Sequence, residues 1–237
     1  MTHNHWIYYD ETPRSDLALF FHAVRFAGRD LFEQMYILAL ANLAAMWLFI
    51  VPPLFPPALA GLWSGATEVA RAEELTFRKM WEAAREHFIK SWVLGALNAL
   101  VYGVVVMNLL FYARDTVPLP FEASPVVISS IQAAWTVVGL IWSVFWLYAA
   151  GWFVFEEPRL GPAFKNALRL MVEHPLYTLL LIVLVGAVIA VNTIIIAFVF
   201  FLTWAFLALI SVRSVQLLVH GIPEEIPPEA LDQQEDL

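Results

Sequence analysis

The residues able to do chemistry in this sequence are few, and most stand in adjacent pairs. Glu86-His87 and Glu173-His174 each set a carboxylate beside an imidazole, and Glu156-Glu157 sets two carboxylates together. Pairs of this kind can move a proton or meet a headgroup, because imidazole titrates near neutrality. His3-Asn4-His5 is half of a metal site, but two imidazoles in a terminal segment hold a metal only weakly. No cysteine is present, which removes disulfides, thiolate chemistry, iron–sulfur clusters and Cys-ligated zinc. A glycine-rich phosphate loop, a nucleophile elbow and a zinc-protease helix are all missing from the sequence. The expectation is a non-enzyme, with no catalytic, cofactor-binding or metal-binding residue.

A second set of polar and aromatic residues lies inside long apolar runs. Asn42, Asn98, Asn108, Trp135, Trp142 and Asn192 make a candidate intramembrane path for a solute. Gln132 and Thr203 are the remaining buried polar candidates. The competing reading is structural: an amide in a transmembrane helix more often bonds a neighbouring helix than a ligand. Likewise, Trp135, Gly139, Trp142 and Trp146 fit close helix packing around a glycine better than a sugar or lipid groove. No acid, lysine or arginine falls in mid-span. That argues against proton-coupled antiport and against intramembrane proteolysis by carboxylates.

The elements that must position these residues are membrane helices. Of 237 residues 61% are hydrophobic and 14% charged, with a mean hydropathy of +0.71; a soluble domain carries about 25% charged residues. The apolar runs have the length needed to cross roughly 30 Å of hydrocarbon. Six spans are expected, at about 35–51, 56–70, 91–112, 126–153, 175–191 and 193–218. Paired prolines at Pro52-Pro53 and Pro56-Pro57 separate the first two, and the polar 58–70 segment is short for a full crossing. A turn at Val191-Asn192-Thr193 is expected to split the last apolar stretch. Twelve of thirteen Lys/Arg fall on one side of this topology, Arg114 being the exception. The positive-inside rule then puts both termini in the cytoplasm. Met1–Asp16 lacks the basic n-region of a cleaved signal peptide.

One unit recurs three times: an amphipathic segment followed by a long apolar one. Leu17–Phe32 leads into Met35–Val51, Phe77–Phe88 into Trp92–Tyr112, and Leu160–Glu173 into Leu176–Val191. Each amphipathic segment has basic residues on its polar face and suits the cytoplasmic interface. The first apolar face is read through Leu17, Phe20, Phe21, Val24, Leu31 and Phe32, the second through Phe77, Met80, Trp81, Ala84 and Phe88, and the third through Phe164, Ala167, Leu168 and Met171. The expected organisation is a polar segment 1–16, one membrane domain 17–219 and an acidic disordered tail 220–237. Within the domain lie repeat units of about 17–70, 76–153 and 160–218. The net charge of −8 owes much to that tail, which holds acids and no base, and nucleic acid is a poor partner for such a chain.

Asn42-Leu43-Ala44-Ala45-Met46-Trp47, the Pro52–Pro57 cluster and Ala58-Leu59-Ala60-Gly61-Leu62 resemble the opening of the YesL-like family of bacterial integral membrane proteins. His87-Phe88-Ile89-Lys90-Ser91 is similar to that family's Phe-rich amphipathic element. Phe153-Val154-Phe155 through Glu173-His174-Pro175 is similar to its later half. The proline break departs from the family pattern, which often has Thr and Gly there. The resemblance implies a multi-pass protein of the bacterial plasma (inner) membrane, an accessory companion of a carbohydrate-uptake ABC transporter. The expectation is thus an all-α polytopic membrane protein with six transmembrane helices and three amphipathic helices in a threefold internal repeat. Its partners are the lipid bilayer and ABC-transporter membrane subunits. The alternative is a small-solute channel or facilitator with an Asn/Trp-lined path.

Overall fold

Helix boundaries follow from local capping chemistry. Ser15, Thr76 and Ser124 stand before apolar runs, and their hydroxyls accept the N–H groups of Ala18, Lys79 and Val127, which the first helical turn leaves without partners. The helices so begun are α1 (Asp16–Glu33), α4 (Phe77–Glu86) and α6 (Pro125–Phe155). The others are α2 (Met35–Phe49), α3 (Phe55–Ala70), α5 (Phe88–Ala113), α7 (Leu160–Glu173), α8 (Pro175–Ile194) and α9 (Trp204–His220). The computed structural model describes residues 6–8, 15–49, 51–113, 124–156, 158–195 and 202–225. His3-Asn4-His5, Arg114, Glu157 and the acids beyond residue 225 lie outside the described residues.

The described chain is almost wholly helical. Three helices, α5, α6 and α8, are long and apolar enough to cross a membrane; the count is four if α1 and α2, bent by 90°, form one broken span. This is fewer than the six spans expected. α2, α3 and α9 have 15, 16 and 17 residues, so at 1.5 Å per residue each is about 22–26 Å long. Three short amphipathic helices are each joined to an apolar helix by one residue, Gln34, His87 or His174.

The end of α8 is also displaced. The helix runs through Asn192 to Ile194, where a turn at residues 191–193 was expected. No Gly or Pro stops the helix there, and Asn192 uses its side chain to accept the Thr203 hydroxyl at 2.8 Å. The tail begins in order: Pro223–Glu225 pairs antiparallel with Trp6–Tyr8, Trp6 opposite Glu225.

α9 is the hub. Ala208 through Leu217 are all buried, enclosed by α1, α3 and α6. Close approach to α6 depends on Gly151, where a Cβ would stand 2.7 Å from the Ser211 hydroxyl and 2.8 Å from its carbonyl oxygen. Gly61 does the same for α3 and α4, since a Cβ there would meet the Met80 carbonyl oxygen at 2.6 Å. The break between α2 and α3 lies against the first turns of α5. Trp92 donates its indole N–H to the Pro53 carbonyl at 3.0 Å, and Gly95 leaves room for Pro56.

Candidate functional site

The six residues of the expected path do not converge. Asn42 is fully buried on α2 and accepts the Ala205 backbone N–H at 3.0 Å, capping the first turn of α9 from another helix. Asn98 and Trp142 are brought together, the indole donating to the amide oxygen at 2.9 Å between α5 and α6. Asn192 ties α8 to Thr203. Asn108 donates to the Val104 carbonyl of its own helix at 2.8 Å. Trp135 stands half-buried on α6. Each amide thus satisfies the backbone or a side chain nearby, which is what an amide out of water must do.

A cavity of about 440 Å³ lies between α3, α5, α6 and the start of α9. Phe55, Trp63, Trp92, Asn98, Trp146 and Trp204 are among its lining residues, and no charged side chain is. Two of its indoles are already committed: Trp63 donates to the Ser211 hydroxyl at 3.1 Å and Trp92 to Pro53. The Trp204 indole nitrogen is buried without a hydrogen-bond partner among the described residues. The volume suits a small apolar ligand.

A constellation that the sequence reading missed sits at the other end of α9. Arg213 and Asp30 are 4% and 3% exposed, and their side chains meet at 2.6 Å and 2.7 Å. Arg213 also donates to the Ala70 carbonyl at 3.1 Å and to Gln216 at 2.8 Å, and its guanidinium lies 5.4 Å from the centre of the Phe26 ring. One arginine so binds α1, α3 and α9 together. A signal was present: Asp30 continues the stripe Leu19, Phe20, Ala23, Ala27 at helical spacing. An acid on a buried stripe needs a cation.

The acid–imidazole pairs do not form one centre. His174 Nδ1 meets Asp16 at 2.8 Å, not its neighbour Glu173, which bonds Arg169 at 2.7 Å. Glu156 meets His220 on α9. His87 packs edge-on against Phe153, its Nδ1 buried without a partner among the described residues. Burial pushes its pKa below the ordinary histidine value, with Glu86 opposing and Lys90 adding to the shift. No group of three His, Cys, Asp or Glu that could hold a metal occurs among the described residues. Compared with family models, curated proteins and solved structures, the chain finds no match.

Proposed function

We propose that this chain is a non-enzymatic, multi-pass protein of the bacterial inner membrane, acting as an accessory component of a larger membrane assembly. The observation that carries the reading is the flank of α5. Of its 26 residues only Ser91, Leu94 and Val105 are buried, while Leu100, Val104, Met107, Leu110 and Phe111 are exposed. The amides that would have lined a solute path are meanwhile engaged within the fold, which disfavours the channel reading. A long apolar helix with so little cover is suited to lie against the helices of another membrane protein. The YesL-like resemblance makes the membrane subunits of a carbohydrate-uptake ABC transporter the partner class. In this reading both termini are cytoplasmic. The three amphipathic helices form a layer at that face, each opening one unit of a threefold repeat.

The test is affinity capture of the tagged chain from its own membranes in mild detergent. Transporter subunits are expected in stoichiometric amount. Gly103→Leu should lose them without loss of folding, because a Cβ at Gly103 meets nothing within 4 Å. Specific solute flux by the purified chain alone in vesicles would overturn the accessory role.

A further inference from the structure

A second, smaller cavity carries an inference independent of that role. It is a groove of about 260 Å³ between α2, α3 and α4. The groove exists because α2 presents Ala41, Ala44 and Ala45 to it, leaving space that larger side chains would fill. α4 lies across α3 at Gly61 and closes one wall with Phe77, Met80 and Ala84.

The lining is apolar except at one place. Arg85 stands on it, in the last turn of α4. The other two cations of that helix are neutralised: Arg78 by Glu82 at 2.8 Å, and Lys79 by Glu68 and by Glu73 at 3.6 Å. Arg85 is exposed, and its side chain makes no hydrogen bond or ion pair among the described residues. Trp81, 55% exposed, lies one turn before it. Tryptophan is the side chain favoured at the boundary between headgroups and acyl chains. An apolar slot, a boundary aromatic and an uncompensated cation at one rim together match an anionic amphiphile.

We propose that this groove binds one anionic phospholipid of the surrounding bilayer, its acyl chain along the alanines of α2 and its phosphate on Arg85. A zwitterionic lipid fills the slot equally well but brings no net charge to the arginine. A soluble anion gains nothing from the slot.

The experiment places the full chain in nanodiscs of equal phosphatidylglycerol and phosphatidylethanolamine and reads retained lipid by native mass spectrometry. One phosphatidylglycerol per chain is expected, preferred about fivefold, the discrimination that one cation near an anionic surface supplies. Arg85→Gln should bring the two lipids to parity. Arg78→Gln, which removes the same charge from the same helix, should leave the preference intact. Ala44→Trp, at an exposed position on the groove wall, should lower retention of both lipids, and the unfolding temperature of each variant confirms that it is folded. An undiminished preference in folded Arg85→Gln overturns the phosphate contact. Undiminished retention in folded Ala44→Trp overturns the groove.

Discussion

At the scale of single residues, the Asp30–Arg213 pair should dominate stability. Both charges are out of water, so removing one strands the other, at a cost of about 3–5 kcal/mol. Arg213→Met and Asp30→Leu should each lower the unfolding temperature sharply. The double variant should recover much of the loss, since no buried charge is then left unpaired. Thermal unfolding of the four proteins in one detergent closes the cycle, and additive losses would mean that the pair is not coupled. His87 makes a second residue-scale prediction. Its folded pKa lies below the unfolded value of 6.5, so below that pH the unfolded chain binds the proton more readily. The stability held by neutral His87 is complete above 6.5 and is lost as pH falls toward the folded pKa. The unfolding temperature should therefore drop more steeply between about pH 7 and pH 5.5 in the natural sequence than in His87→Gln. His87 stands out in the sequence by its type and its acid neighbour, whereas Arg213 does not. Arg213 reads from sequence as one more base at a helix end, because counting charges by side of the membrane ignores which helix face carries them.

At the scale of elements, helices were more legible than their faces. Proline pairs, helical periodicity and apolar run lengths place most helix ends within three residues, because these signals act locally. Which face is buried is decided by neighbours. In α1 the large residues Phe21 and Phe32 are 61% and 78% exposed, while Ala23 and Ala27 are fully buried. A helix at a bilayer surface would have two apolar fates, protein on one flank and acyl chains on the other. Small residues go to the protein flank, where backbones come close. The same split appears in α7, with Ala163 and Ala167 fully buried and Leu168 59% exposed. Hydrophobicity alone cannot separate the two flanks. Gly151 tests the close-packing rule. Gly151→Ala forces α6 away from the Ser211 backbone, and overpacking of that kind costs about 1–3 kcal/mol. Gly186→Ala, where a Cβ meets nothing within 4 Å, should cost little. Equal unfolding temperatures for the two variants would show that α6 and α9 are not in contact at Gly151.

At the scale of the whole molecule, counting charges assigns an expected side to each loop but says nothing of the depth of each segment. Positive residues count only the ends of excursions, and a hairpin that dips and returns leaves the same count as two full spans. The lengths of α2 and α3 fit such a hairpin. Its turn bonds Trp92 and touches Gly95, and the eighteen residues of α5 after Gly95 continue for about 27 Å beyond that level. α3 also meets α4 at Gly61, near its own middle. If α4 lies at the interface, then, the turn stands only about 8–10 Å deeper than the interface. A full crossing of roughly 30 Å is out of its reach. The absence of cysteine makes the depth measurable with one introduced thiol at a time. Thr76→Cys should react with an impermeant maleimide from the cytoplasmic side and Ser124→Cys from the opposite side. Val51→Cys, at an exposed position in the turn, should react from neither until detergent dissolves the bilayer. Labelling of Val51→Cys from the same side as Ser124→Cys would make α2 and α3 true spans, five with α5, α6 and α8, and six with α9 as the return of α8. Protection from both sides would make the hairpin re-entrant, with its turn held in the hydrocarbon against the first turns of α5 and its alanine face left open to the lipid of the cytoplasmic leaflet.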